Sequence, residues 1–354
     1  MRILRRYMLR SIMMMTGLVL AVLLGLAVFI EFVGQLDDIG TGDFGMPHAL
    51  LYAILKLPNL AHVMLPMAVL LGAMLGLGGL ANHGELVAIR TAGVSVGSLA
   101  GAVMVTGFVL TLIALVLGEY VGPPLESYAR QFRTNAKHAD TGIATGSSVW
   151  IRDGDTILNI SGLGESSRFG GVYLFRMQPG GLVSVGRADS AGVDDESQWV
   201  LNNYSESVFD DNGVRTRQVR QLTQATTLSP DLVGLAVVRP SSLRGLELYR
   251  YIKYLEQNEL DARRYSVAFW SRIASAFAVT PMCVLALPFV MGRMRSSGTG
   301  ARMIVGLIIG LAYFLASRSL ADGGQVYELN TVFVAWLPTI ALIAVTTAVL
   351  ARTR

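Results

Sequence analysis

Few side chains of this sequence have the types and the spacing that catalysis requires. The four histidines, His48, His62, His83 and His138, are scattered and lack the spacing typical of metal ligands. The one cysteine, Cys283, lies in an apolar run without the neighbours of a nucleophile or a metal ligand. No glycine-rich loop ends in Gly-Lys-Ser/Thr, and the chain contains only three lysines. The sequence therefore predicts no catalytic residue, no metal site and no enzyme acting alone.

One short segment, residues 82–95, has the chemistry of a docking helix. It can form about two helical turns, with Glu85 near the start, where a carboxylate suits the helix dipole, and with Gly93 at the end. Its apolar side chains are expected to face a polar compartment, which indicates docking into the groove of a partner. The alternative is a helix that lies on the membrane surface. The residues predicted to make the contact are Glu85, Leu86, Val87, Ile89 and Arg90.

The elements that hold this segment are long apolar runs. The chain has 354 residues, of which 52% are hydrophobic and 15% charged, whereas a soluble domain carries about 25% charge. Its mean hydropathy is +0.50. About 20 apolar residues cross the hydrocarbon core of a membrane. Six such runs are predicted, at residues 11–30, about 60–82, and between 90 and 119, 272 and 293, 302 and 318, and 328 and 352.

The arginines predict the orientation of these spans, because short cytoplasmic loops are enriched in Lys and Arg. The short loops of the other side carry only Lys56 among several acidic residues. Both termini and residues 83–95 and 293–302 are therefore expected in the cytoplasm, and residues 125–262 in the periplasm. The arginines that place them there are Arg2, Arg5, Arg6, Arg10, Arg90, Arg293, Arg295, Arg302, Arg352 and Arg354.

Glycine pairs with a spacing of four residues predict close contacts between helices, since small residues let helix backbones approach in lipid. The pairs are Gly72 with Gly76, Gly97 with Gly101, and Gly306 with Gly310.

The sequence between the third and the fourth span is typical of a soluble β domain. Residues 148–152 and 156–160 predict a hairpin, and residues 171–177, 182–187, 198–204, 205–210 and 214–222 predict further strands. Strands at this spacing favour a sandwich or a jelly roll. From Ser241 the pattern is helical, with Leu248, Ile252 and Leu255 on one face.

The predicted fold is an α-helical membrane bundle of six transmembrane helices, arranged 3+3, with an inserted all-β jelly-roll domain in the periplasm. Residues 1–124 would contain the first three helices with the docking helix near 83–93, residues 125–262 the β domain with its connecting helix, and residues 263–354 the last three helices.

Several blocks of the sequence are similar to a known family. They are Phe-Val-Gly-Gln-Leu at 32–36, Leu-Pro-Met-Ala at 65–68, Leu-Gly-Ala-Met-Leu-Gly-Leu-Gly at 71–78, Glu-Leu-Val at 85–87, Ala-Gly at 92–93, Gly-Glu-Tyr-Val-Gly-Pro at 118–123, Tyr-Ile-Lys-Tyr-Leu at 251–255, Arg-Tyr at 264–265, and Trp270. In order and spacing they resemble the permease family LptF/LptG of the lipopolysaccharide-export ABC transporter. The blocks at 118–123 and 251–270 favour the LptG branch.

The resemblance implies a role and partners. The chain would pair with an LptF-type permease around a central cavity, above a dimer of the LptB-type ATPase, which would bind the ATP and magnesium. No cofactor is expected in this chain, and no nucleic acid among its partners. The complex would extract lipopolysaccharide from the inner membrane and pass it to LptC and a periplasmic bridge. The docking helix would be the coupling helix that contacts the ATPase.

The resemblance also implies that the first and fifth spans line the lipid path. The candidate residues are Leu26, Phe29, Ile30, Glu31, Tyr313, Phe314 and Arg318. Family members often carry basic residues at the periplasmic end of the first span, suited to lipid A phosphates, but here Glu31, Asp37 and Asp38 are acidic. Arg318 is a candidate substitute. It would bind a phosphate, reach the lipid headgroups, or pair with Glu31.

Two other functions compete. A lipoprotein-release ABC permease usually has its large domain after the first of four spans, which the 3+3 arrangement disfavours. A membrane scaffold without transport activity would not need six closely packed spans.

Overall fold

The computed structural model describes residues 2–137, 149–153, 155–160, 168–169, 171–178, 181–193, 198–210, 213–225, 240–291, 299–326 and 329–352. The helices are α1 (Arg2–Val33), α2 (Met46–Leu55), α3 (Leu57–Asn82), α4 (Glu85–Thr91), α5 (Val96–Val116), α6 (Gly122–Lys137), α7 (Gly245–Gln257), α8 (Arg263–Met291), α9 (Thr299–Val326) and α10 (Thr331–Arg352). A π-helical turn, Leu117–Val121, joins α5 to α6.

Six helices are long and apolar enough to cross a membrane, which confirms the predicted number of spans. In chain order they are α1, α3, α5 with its continuation into α6, α8, α9 and α10. The end of the bundle that carries α4 is called the loop end, and the end that carries the β strands is called the domain end. The predicted boundary near residue 125 falls inside α6, since the helix of the third span continues to Lys137.

The central helices of the bundle are α3 and α8. In the most apolar 18 residues of each of these two helices 72% of the positions are buried, against 22% in α1 and 11% in α9. Two of the three predicted glycine pairs are confirmed, Gly72 with Gly76 and Gly306 with Gly310. A Cβ atom at Gly72 would meet the backbone of Thr16 in α1, and one at Gly310 would lie 2.7 Å from Cγ of Met67 in α3. No atom lies within 4 Å of a Cβ placed at Gly101, so the packing prediction is wrong for the pair with Gly97.

The inserted strands form one antiparallel sheet, which confirms the predicted β domain. The strands are β1 (Val149–Asp153), β2 (Thr156–Ile160), β3 (Arg168–Phe169), β4 (Val172–Gln178), β5 (Gly181–Ala188), β6 (Ser190–Val193), β7 (Gln198–Asp210) and β8 (Gly213–Ala225). Their order is β1-β2-β4-β5-β7-β6-β3, with β8 also paired to β7. The jelly-roll arrangement stays a prediction.

The sheet corrects one sequence expectation. Residues 198–204 and 205–210 were predicted as two strands, but β7 is one strand of 13 residues. β8 pairs with β7 from Gln198 to Asp210 in one register, and this pairing keeps the strand continuous although Asn203, between the two halves, has φ of +51°. The predicted hairpin of β1 and β2 is confirmed, with Val149 opposite Ile160.

The core of the β domain contains side chains of β2, β4, β5, β6 and β7 together with side chains of α7. A Cβ atom at Gly186 would overlap the ring of Tyr204, so glycine is required there to admit the ring. Burial, together with the charge of Glu206, raises the pKa of Tyr204 to about 12. The predicted apolar face of α7 is confirmed, because Leu248, Ile252 and Leu255 are all buried with this core.

Candidate functional site

The predicted docking helix is present as α4, which has seven residues. Gly84 precedes it with φ of +75°, and Gly93 follows it with φ of +88°. Both values lie in the left-handed region, which glycine adopts without steric cost. Glycines therefore let the chain turn sharply on both sides of α4, and this holds the helix across the loop end between α3 and α5.

One residue of the predicted docking contact, Leu86, faces the core of the bundle instead of the surface. Leu86 is 4% exposed and belongs to the main core of the bundle, and Ile89 packs against that core. The expectation that Leu86 is exposed is therefore wrong, because its side chain packs into the apolar core of the bundle. Glu85 and Val87 are half-buried and Arg90 is exposed. Beside them lies a recess of about 290 Å³, lined by Ala81, Leu86, Val87, Arg90, Thr91, Val290 and Met291.

Two side chains of neighbouring spans reach the α4 region. The Tyr7 side chain of α1 lies near the Glu85 carboxylate and interacts with it electrostatically. Arg302 of α9 donates from Nη2 to Oδ1 of Asn82 at 2.9 Å. Arg302 was predicted in a cytoplasmic loop whose other arginines, Arg293 and Arg295, lie outside the described residues. Instead Arg302 lies inside α9 and is 2% exposed, because it enters a slot between helices.

The predicted lipid-path residues of α1 lie on an open face. Leu26, Phe29 and Ile30 are 58%, 63% and 62% exposed. On α9, Phe314 is 38% exposed, whereas Tyr313 is half-buried and its hydroxyl hydrogen-bonds to Oγ1 of Thr339 in α10 at 3.2 Å. Tyr313 therefore packs between helices, and the open apolar faces belong to α1 and to the Phe314 side of α9.

The charged candidates do not pair as one alternative predicted. Nζ of Lys56 lies 2.6 Å from Oε1 of Glu31, and Nε of Arg318 lies 3.3 Å from Oδ2 of Asp322, one turn along the same helix. A pair between Arg318 and Glu31 is therefore wrong, because each has a nearer partner of opposite charge. The Arg318 side chain stays 73% exposed.

A buried polar cluster at the domain end was not found by sequence reasoning. The carboxylate of Glu126, which is 2% exposed, accepts hydrogen bonds from Asn59, Arg130 and Ser241. Glu119, in the π-helical turn, accepts from the backbone N–H of Gly245 at 2.8 Å, at the first residue of α7. The bonds from Ser241 and Gly245 attach the segment that follows the β strands to the helix of the third span. Two sequence signals contained residues of this cluster, namely the block at 118–123 with Glu119 and the helical pattern that begins at Ser241, but neither indicated that they meet.

Two more contacts complete this cluster. Arg272 of α8 donates to the backbone oxygens of Leu243 and Pro240 at 2.8 and 3.1 Å. Among the described residues no three His, Cys, Asp or Glu side chains lie close enough together to hold a metal ion.

Six apolar helices, a β domain inserted after the third, and a short helix held across the loop end define a multi-pass membrane protein. The chain belongs to the lipopolysaccharide export system permease LptF/LptG family, whose model matches residues 6–352. Permeases of this family are subunits of an ABC transporter and are not enzymes by themselves, and they are multi-pass proteins of the inner membrane.

Individual relatives agree with the family. The chain is 30% identical to the lipopolysaccharide export system permease protein LptG of Haemophilus influenzae, over 99% of this chain and 98% of the relative. It is 31% identical to LptG of Escherichia coli K12, over 99% and 98%. The identity to LptF of the same strain is 24%, over 97% and 93%. The resemblance to the LptG branch is thereby confirmed.

Proposed function

We propose that the chain is the LptG-type half of a lipopolysaccharide exporter. It pairs with an LptF-type permease around a central cavity and stands on a dimer of the LptB-type ATPase, which binds ATP and magnesium. The complex extracts lipopolysaccharide from the inner membrane and passes it to LptC and a periplasmic bridge. The observation that carries the proposal is the open apolar face of α1 and α9, the two spans that the bundle leaves least buried.

Lipid provides no hydrophobic force that would press these faces against other helices. The faces can therefore stay open and contact the acyl chains of a bound lipid. Leu26, Phe29 and Ile30 form a patch on α1 near its domain end. The acyl chains of lipopolysaccharide can contact such a surface, and the partner permease can close the cavity on its other side. The acidic Glu31 is neutralised by Lys56, which lowers its repulsion toward phosphate groups.

The test compares two exposed phenylalanines in the assembled complex in membranes. A photo-crosslinking residue replaces Phe29 of α1, which is 63% exposed, or Phe108 of α5, which is 58% exposed. We expect lipopolysaccharide adducts at position 29 and phospholipid adducts at position 108. Equal capture of bulk phospholipid at both positions would contradict the lipid path along α1.

The sidedness of the chain is proposed from the arginines, with both termini and α4 in the cytoplasm and the β domain in the periplasm. Single cysteines at Thr91 and at Thr216, both exposed, test it, since the native Cys283 is fully buried. An impermeant thiol reagent added to cells with a permeable outer membrane should label position 216 and spare position 91. Labelling of both positions, or of position 91 alone, would refute this orientation.

A further inference from the structure

The largest fully buried side chain of the described residues is a cation, Arg302. It lies near the beginning of α9, at the loop end of the bundle. A buried charge is costly unless hydrogen bonds and close packing compensate for its loss of hydration. A side chain placed in this way holds a defined position, in contrast to a basic residue at a membrane surface, which moves freely among headgroups.

The last turn of α3 forms the slot for this side chain. Nη2 of Arg302 donates to Oδ1 of Asn82 at 2.9 Å. A Cβ atom at Gly78 would lie 2.9 Å from Nη1 and 3.3 Å from Cζ of Arg302, so the guanidinium occupies the space that glycine leaves open. Gly78 and Asn82 are four residues apart and therefore lie on the same face of the helix.

Two further contacts of α9 with α3 lack such direction. A Cβ atom at Gly306 would lie 2.6 Å from Sδ of Met74, and Gly310 faces Met67. Methionine side chains are flexible and apolar, and they adapt when a neighbouring helix shifts. The Arg302 contact is therefore a specific, directional attachment between the two helices at the loop end.

The position of this attachment along the chain gives it a mechanical role. Asn82 is the last residue of α3, and α4 begins three residues later at Glu85. A displacement of α4 acts first on the last turn of α3, and the bond from Asn82 passes it to α9. Coupling between distant sites requires such a contiguous physical connection.

We propose that Arg302 is a positioning residue that ties α9 to α4 through Asn82 and Gly78, so that movement of α4 shifts α9. This rests on the proposed function, in which α4 contacts the ATPase and α9 lines the lipid path.

Two glycines provide the matched test. Gly78→Ala pushes the guanidinium out of its slot while Arg302 stays present, and Gly79→Ala, at the next residue, meets no atom within 4 Å. The complete transporter, with its partner permease and ATPase, is reconstituted with each variant and with Arg302→Gln. We expect Gly78→Ala and Arg302→Gln to lower lipopolysaccharide release per ATP hydrolysed by about tenfold, a typical size for coupling between sites. Gly79→Ala should match the parent protein.

A second measurement does not depend on lipid transport. Spin labels at Ala88 of α4 and Ile308 of α9, both exposed, report the distance between the two helices with and without ATP. The distance distribution should stay narrow in the parent protein and broaden in Gly78→Ala. A parent complex that assembles but exports no lipopolysaccharide would overturn the proposed function, while this distance would still test the attachment.

Two results would overturn the attachment. One is equal behaviour of Gly78→Ala and Gly79→Ala in both measurements. The other is a fall of ATP hydrolysis and lipid release in the same proportion, with an unchanged distance distribution, because this would show that Arg302 only stabilises the fold.

Discussion

The central helices α3 and α8 differ from the outer helices α1 and α9 although all four have similar composition. The mean hydropathy of the most apolar stretch is 2.1 in α3 and in α8, 2.6 in α1 and 1.8 in α9. Their burial nevertheless differs about threefold or more. An apolar sequence allows a helix to insert into a membrane, but it does not determine the neighbours of that helix. Small residues and polar contacts decide which helices pack against each other. The outer helices are thus left with faces that can meet a lipid or a partner.

The largest expected effect separates two leucines of the two classes. Leu70 of α3 is 0% exposed and Leu26 of α1 is 58% exposed. Leu70→Ala leaves a cavity in the core and should destabilise the fold by about 2–5 kcal/mol, whereas Leu26→Ala should change stability by at most about 0.5 kcal/mol. Thermal unfolding of the purified complex in detergent measures both. Similar melting temperatures for the two variants would remove the distinction between core and outer helices.

The second prediction concerns the contact of α4 with the partner ATPase. Glu85→Gln removes the charge but keeps the shape of the side chain, and a charge-assisted bond to a partner arginine is worth about 1.5–3 kcal/mol. We expect weaker binding of the ATPase by this amount and an unchanged melting temperature of the permease pair. Tyr7→Phe is the control, because it removes the hydroxyl group that neighbours Glu85 within the chain and keeps the Glu85 carboxylate. If Glu85 serves only its own helix, Glu85→Gln will bind the ATPase normally.

The third prediction tests how α1 is held. A Cβ atom at Gly72 would meet the backbone of Thr16, whereas a Cβ atom at Gly79 would meet no atom within 4 Å. Gly72→Ala forces α1 away from α3, and such overpacking costs about 1–3 kcal/mol. The melting temperature of Gly72→Ala should fall below that of Gly79→Ala. Equal melting temperatures would mean that α1 can move away from α3 at little cost in free energy, and that the close contact at Gly72 does not hold it.

The smallest effect is expected for Arg318, whose ion pair with Asp322 is exposed. An exposed pair with a spacing of four residues contributes about 0.3–0.5 kcal/mol, so Arg318→Gln should leave the melting temperature almost unchanged. If Arg318 binds lipid A phosphate, the same variant should reduce crosslinking of lipopolysaccharide at Phe314, while Asp322→Asn should not. Unchanged crosslinking in Arg318→Gln would leave Arg318 with a role at the headgroups alone.

The sequence by itself determined most of the elements of this protein. The six spans, the inserted β domain, α4 and the buried face of α7 all follow from patterns within about 20 neighbouring residues, such as apolar length, strand alternation and helical spacing. Strand pairing between neighbours follows as well, as β1 and β2 illustrate. Each of these features depends on the chemistry of a short segment, which the sequence contains directly.

Only the tertiary structure decided which face of an element is covered and which charges meet. Leu86 is buried in the core of the bundle, Glu31 pairs with a lysine 25 residues away, and Arg302 bonds to a residue 220 positions away. No local pattern contains such pairs. In lipid, an apolar helix face gains little free energy by exchanging acyl chains for another helix. Close packing at glycines and buried polar bonds therefore decide which helix faces meet.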